Sequence, residues 1–201
     1  MDRHAWNDRY REKELLWTAQ PNRFLVEAVT GLEPGTAYDL AGGEGRNAVW
    51  LAEHGWQVTV VDWSEVALEK GRALAEHRGV EIEFEEADLL DWAPPEPRGL
   101  VAVVYLQIPP RERHAAWRTA VGALAPGGTL VIVGHDSSNL TEGCGGPQSP
   151  EVLYTADEVV EVIGERVTVT RAERVQRPVE LEDGTTAIAL DNVVVGVGHS
   201  A

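Results

Sequence analysis

The chain has 201 residues, 43% apolar and 25% charged, which suits one folded domain with a sizeable core and excludes a disordered chain. Seventeen Lys and Arg face 33 Asp and Glu, and the resulting charge of −16 repels phosphates, so nucleic acid and anionic membranes are poor partners. The single cysteine, Cys144, excludes an intrachain disulfide framework, no apolar run reaches the roughly 18 to 20 residues that span a bilayer, and residues 1–20 lack a signal-peptide core, so the expectation is one cytoplasmic domain over 1–201.

Residues 1–35 carry Trp6, Tyr10 and Trp17 and stand outside the repeating pattern that follows, as a helical cap. Residues 36–41 read as a strand ending in glycines, and 45–54 as a helix with Ala48, Val49, Leu51 and Ala52 as its apolar content. Residues 57–62 are β-branched and read as a buried strand. Ser64 suits the N-cap of a helix running to about 77, with Glu65 at its positive end. Residues 80–87 alternate Val80, Ile82 and Phe84 with glutamates, as a strand with one polar face does. Pro94, Pro95 and Pro97 mark a loop, and 100–106 an apolar strand. Pro109 opens a helix that Pro126-Gly127-Gly128 ends, and 129–134 form the next strand. Residues 135–153, rich in Gly, Ser and Pro, are a candidate substrate lid. Residues 167–174 and 186–197 are both β-rich around Glu182-Asp183-Gly184 and read as an antiparallel pair at a sheet edge. The alternation predicts an α/β fold, a doubly wound, mostly parallel sheet with helices on both faces.

In such sheets ligands bind at the carboxyl ends of the strands. The turn after the first predicted strand is Ala41-Gly42-Gly43-Glu44-Gly45, where Gly43 and Gly45 permit close backbone approach. Asp62, 19 residues after Gly43, is placed to meet two ribose hydroxyls. Gly43-Glu44-Gly45-Arg46-Asn47-Ala48 also fits a dinucleotide fingerprint. Charge separates the two readings: Asp39 and Glu44 would repel a pyrophosphate, whereas a cofactor with an ammonium and a sulfonium, S-adenosylmethionine, tolerates them. The alternatives are an NAD(P)-dependent oxidoreductase using the same turn, or a plain connecting turn.

With these segments in place, the sequence resembles the class I S-adenosylmethionine-dependent methyltransferases over nearly its whole length. D-L-A-G-G-E-G-R-N at 39–47, V-T-V-V-D-W-S at 58–64 and E-A-D-L-L-D-W at 86–92 resemble that family's first three motifs. L-A-P-G-G-T-L-V-I-V at 124–133 resembles the segment entering its fifth strand. W-N-D-R-Y at 6–10 and L-L-W-T-A-Q-P-N-R-F-L at 15–25 are similar to the branch with tellurite-resistance and thiol (thiopurine-type) methyltransferases. The resemblance implies a Rossmann-like seven-stranded sheet whose last strand is antiparallel.

It also implies roles. Asp39, Ala41, Gly43, Gly45 and Asn47 would form the turn at the methionine end of the cofactor. Asp62 would bind the ribose, Trp63 would lie on the adenine, and Asp88 and the Leu89 backbone would meet its edge. Tyr105, Leu106 and Gln107 would line the methyl-transfer site, and Trp17 and Arg23 would close over the cofactor. The same residues also have plain structural readings: Trp63 as core, Asp88 as a turn cap, Trp6 and Trp17 as a packing cluster, and Arg23 as a surface ion pair. Ala41 stands where the pattern often has glycine, Gly42 where relatives often have cysteine, and Gln107 where they often have histidine.

The acceptor side rests on Tyr105, His135 and Asp136 as candidate bases or anchors, because they follow the fourth and fifth predicted strands and His titrates near neutrality when unperturbed. Cys144, His135 and Asp136 match no zinc spacing, so no metal is expected. The expected function is methylation of a small molecule, most readily S-methylation of a thiol or of a chalcogen oxyanion, which needs little help from a base. A non-catalytic S-adenosylmethionine-binding module is a further alternative. The expected product is S-adenosylhomocysteine, and the protein is expected to be a monomer or homodimer.

Overall fold

The computed structural model describes residues 3–12, 15, 19–181 and 183–199. Two helices come first, α1 (Arg3–Arg11) and α2 (Arg23–Val29). An alternating series follows: β1 (Thr36–Leu40), α3 (Arg46–Glu53), β2 (Gln57–Asp62), α4 (Glu65–Arg78), β3 (Glu83–Glu86), β4 (Arg98–Val104), α5 (Pro110–Gly122) and β5 (Leu124–His135). The short α6 (Asn139–Glu142) and α7 (Ala156–Ile163) then lead to the long hairpin β6 (Val167–Glu180) and β7 (Thr186–Gly198). Local chemistry explains several boundaries. Asn22 caps α2 by accepting from the Phe24 and Leu25 N–H groups, and Ser64 caps α4 by accepting from Ala67. Gly79, at φ 68°, closes α4, and the Val80 N–H returns to the Ala75 carbonyl.

The seven strands lie in the order β3-β2-β1-β4-β5-β7-β6. Pairing is parallel from β3 through β5, and β7 is antiparallel to both β5 and β6. This is the expected mostly parallel sheet with an antiparallel last strand. Its two faces are covered separately. Alternating residues of β4 show the division: Val101 and Val103 meet Trp117 of α5 and Val159 of α7 in one core, while Leu100 and Ala102 meet Leu25, Leu51 and Leu68 of α2, α3 and α4 in the other. Among the described residues no helix is long and apolar enough to cross a membrane.

Three of the differences from the sequence expectation have a plain local cause. β3 is shorter than 80–87, because residues 79–80 complete the helix cap and pairing to β2 covers only Glu83–Glu86. α5 ends at Gly122 rather than at Pro126-Gly127-Gly128, which instead sits within β5 beside a register shift against β4. β6 runs six residues past 174, to Glu180. Since β5–β7 pairing stops at His135↔Asp191 while β6–β7 pairing continues to Glu180↔Thr186, the far half of the hairpin stands beyond the sheet at its ligand edge.

Candidate active site

The carboxyl ends of β1 to β5 deliver Leu40, Asp62, Glu86, Val104 and His135 to one edge. After β1 the chain reverses through Ala41 at φ 52°, Gly43 at φ 57° and Gly45 at φ 71°. Ala41 adopts this left-handed backbone although it carries a Cβ, the kind of strain that clusters at functional sites. Asp62 holds the turn: its Oδ2 accepts from the Gly43 N–H at 2.9 Å and its Oδ1 from the Ser64 N–H at 2.8 Å. With the Trp63 N–H nearby as a third donor, the carboxylate still keeps acceptor capacity for a further one. Burial raises the Asp62 carboxyl above its ordinary range, against those backbone hydrogen bonds.

Asp39 is the anomaly of the turn. It is 1% exposed, and among the described residues neither carboxylate oxygen has a partner in good hydrogen-bond geometry, although the Ala48 N–H and the Asn47 side chain lie near enough to lower its pKa. Burial pushes its carboxyl up to about 7, with Arg46 the strongest influence in the other direction. A buried carboxylate left without a well-aligned donor asks for a cationic or N–H-bearing ligand.

Helix α1 reaches three of the turns at this edge. The Tyr10 hydroxyl lies against Gly43, where a Cβ would come within 2.7 Å of it. The Ser64 hydroxyl donates to Asn7 at 2.6 Å, and Arg3 pairs with Glu86. Lys70 of α4 ties the Tyr10 carbonyl to the buried Glu44, which it approaches at 3.5 Å.

The other half of the edge holds a linked cluster. Asp191 of β7, 0% exposed, accepts from Tyr105 Oη at 2.9 Å and from Arg177 Nε at 2.6 Å on Oδ2. Its Oδ1 lies 2.8 Å from His135 Nδ1. Burial alone would raise the Asp191 carboxyl, but the bonds from His135 and Arg177 outweigh it and hold the group below its ordinary value. Burial and then Asp191 push the Tyr105 phenol far up, so Tyr105 serves as a donor and not as a base. Tyr105 has φ 59°, a second strained non-glycine, and its ring lies 4.7 Å from that of His135. With Nδ1 engaged by Asp191, Nε2 is the ring nitrogen of His135 that remains for another partner.

Gly146, at φ 73°, covers that ring: a Cβ there would lie 3.0 Å from Nε2. Gly146→Ala is therefore expected to displace the His135 ring and to destabilise the fold by about 1–3 kcal/mol, the scale of overpacking and of a side chain held at positive φ, which thermal melts of the two proteins check. Two buried side chains hold the 135–153 segment. Asn139 accepts from the Leu190 N–H and donates to the Gly145 carbonyl, and Arg113 donates to the Glu151 carbonyl.

The other sequence candidates fall as follows. Asn47 is buried, and its Oδ1 accepts from the Asn22 N–H. Trp63 is half-buried and outside the core clusters of the described residues, while Leu89 is part of a core. Asp88 Oδ1 accepts from the Leu90 N–H, which is the turn-cap geometry. Leu106 packs against the α5–α7 core, and Gln107 Nε2 is buried without a partner among the described residues. Arg23 pairs with Glu27 on the surface of α2. Trp17 lies outside the described residues. Asp136 does not join His135, because successive strand residues point to opposite faces; its Oδ1 accepts from the Ser138 N–H and hydroxyl instead. The partner that sequence reasoning missed is Asp191, with Arg177 beside it. The one signal for Asp191 was the polar pair Asp191-Asn192 inside the apolar run of β7.

Residues 37–128 match the family described as a methyltransferase domain. A 117-residue stretch is 33% identical to trans-aconitate 2-methyltransferase of Sinorhizobium medicae (strain WSM419), covering 56% of this chain and 43% of that one. The chain spans about half the length of the curated relatives it matches. Two solved structures share the fold. One, from work on the conversion of a disulfide bond into a thioacetal group during echinomycin biosynthesis, has a TM-score of 0.77 at 20% identity over 98% of this chain and 91% of that one. The other, the N-methyltransferase NodS of Bradyrhizobium japonicum WM9 with S-adenosylhomocysteine, has a TM-score of 0.68 at 18% identity over 89% and 85%.

The residues present fit S-adenosylmethionine, the cofactor that the family matched by residues 37–128 implies. The buried Asp39 carboxylate suits its ammonium, and the remaining acceptor capacity of Asp62 suits ribose hydroxyls. The same Asp39 stands beside the start of α3, where a dinucleotide would put its pyrophosphate.

Proposed function

We propose that this protein is an S-adenosylmethionine-dependent methyltransferase of a small molecule, and that the atom it methylates is the sulfur of a thiol. The observation that carries the acceptor reading is the His135–Asp191 pair at the ligand edge. A carboxylate acceptor, as the name of the Sinorhizobium relative suggests for that enzyme, is already ionised at neutral pH and needs no base. A chalcogen oxyanion needs none either. A thiol, with an ordinary pKa of about 8.5, is only a few per cent ionised at pH 7, so it needs little help from a base, and a single histidine supplies it.

In this reading Asp39 and the Gly43 backbone hold the methionine end of the cofactor, Asp62 the ribose, and Trp63 with residues 88–89 the adenine. Helix α1 caps the site from the N-terminal side. When bound, the cofactor supplies an electrophilic methyl group on a sulfonium. His135 Nε2 takes the thiol proton, and Asp191 holds the imidazole by Nδ1 and stabilises the imidazolium that forms. Tyr105 and Arg177 fix Asp191 in turn. The partner is a small molecule, and the charge of −16 supports leaving nucleic acid aside.

Calorimetric titration with S-adenosylhomocysteine and NAD, followed by a labelled-methyl screen over thiols, amines, phenols and metalloid anions, tests this. Heat with S-adenosylhomocysteine alone and label on thiols are expected. Heat with NAD alone would overturn the cofactor reading, and label on every class but thiols would overturn the acceptor reading.

A further inference from the structure

We infer that the acceptor carries a carboxylate, and that Arg177 receives it; this rests on the methyltransferase reading above. Arg177 comes from the part of the β6–β7 hairpin that stands beyond the sheet, opposite Ala189 and on the same face as Asp191. Its side chain is 26% exposed, with the guanidinium 5.9 Å from the Tyr105 ring centroid.

The use of its donors is what points to a ligand. A guanidinium has five N–H groups. Asp191 engages Arg177 through Nε, and Tyr105 lies close enough to engage one more. The Nη1–Nη2 end keeps the geometry that receives a carboxylate through two parallel bonds. Pinning an arginine by Nε also removes much of the rotamer freedom that a ligand would otherwise have to freeze.

Charge points the same way. The Asp191 carboxylate is shared between His135 and Arg177, so it does not neutralise a second cation. Arg46, held below its ordinary pKa by burial, is near enough to Arg177 for the two charges to repel, and it faces Tyr105 and Asp39 as well. Arg46 already faces Asp39 and Glu44, so in a chain of charge −16 the attraction for an anion at this edge is short-range and comes from Arg177.

The geometry also limits size. His135 Nδ1 lies on Oδ1 of Asp191 and Arg177 Nε on Oδ2 of the same group. One carboxylate thus sets the spacing between base and anion receptor, and that spacing suits a short mercapto acid.

The test is calorimetric titration of 3-mercaptopropionate and of its neutral amide, 3-mercaptopropanamide, into the protein with and without S-adenosylhomocysteine. The acid is expected to bind about tenfold or more tightly than the amide, the scale of charge-assisted hydrogen bonds. Arg177→Gln is expected to erase the difference, and Arg177→Lys to keep part of it. Equal affinities in the unaltered protein, or no binding of the acid, would overturn the inference without requiring any variant to fold. The heat of S-adenosylhomocysteine itself reports separately on the methyltransferase reading.

Discussion

Asp39→Asn is expected to raise the melting temperature at pH 8 while removing most of the affinity for S-adenosylhomocysteine. The carboxylate is buried with no donor in good hydrogen-bond geometry on either oxygen among the described residues, and its pKa stands at about 7 against 3.8 for the ordinary group. The folded state therefore holds this proton more tightly than the unfolded state. Stability from this group is full below about pH 4, falls as pH rises toward 7, and stays reduced above that. At about 1.36 kcal/mol per unit, the penalty at pH 8 is at most ~4 kcal/mol, and relaxation of the fold reduces it further. Asparagine has the same shape and no charge to desolvate, so a gain of about 1–3 kcal/mol is expected at pH 8 and almost none near pH 4. Affinity for the product is expected to fall about 10- to 100-fold, because its ammonium loses a charged acceptor. Melting curves at pH 5 and pH 8 beside product titrations check both halves. A lower melting temperature at pH 8 would mean that Asp39 stabilises the fold by itself.

The same residue shows why one half of the site was legible in the sequence. The parallel strands place their candidate site residues at or just beyond the carboxyl end of each apolar run. Asp39, Gly43, Asp62 and His135 could thus be located from where β-branched segments end. Ser64 marked the start of α4 for an equally local reason, a side chain capping its own helix. The acceptor side depends instead on pairing. Asp191 reaches His135 across 56 residues, and only the antiparallel register of β7 on β5 puts them face to face. Because β7 runs backwards, the start of the strand lies at the ligand edge, where a rule based on strand ends does not look. Arg177 is a further step removed, placed by the register of β6 on β7. Asp136 was the natural sequence neighbour of His135, and strand alternation turned it to the other face. Asp88 likewise shows a local Asx turn that any turn aspartate can make.

His135→Asn and Asp191→Asn are expected to separate proton removal from positioning. Asp191 is fully buried and takes bonds from Tyr105, Arg177 and His135. Replacing it by asparagine leaves Arg177 without its counter-ion, at an expected cost of about 3 kcal/mol at pH 7. Since its folded pKa is depressed, the stability it contributes is present above the unfolded pKa and is lost as pH falls through the folded value. The destabilisation of Asp191→Asn should therefore shrink toward pH 3. His135→Asn leaves the Arg177–Asp191 pair intact, so the fold and product affinity should be kept while kcat at pH 7 falls about 10²- to 10⁴-fold. The pH dependence then decides what His135 does. If it removes the thiol proton, the defect must narrow above a pH of about 8.5, where the acceptor ionises unaided. A defect of constant size from pH 6 to pH 10 would instead assign His135 to holding the acceptor in line, and the Asp191 carboxylate would then be orienting a wall of the site and not a base.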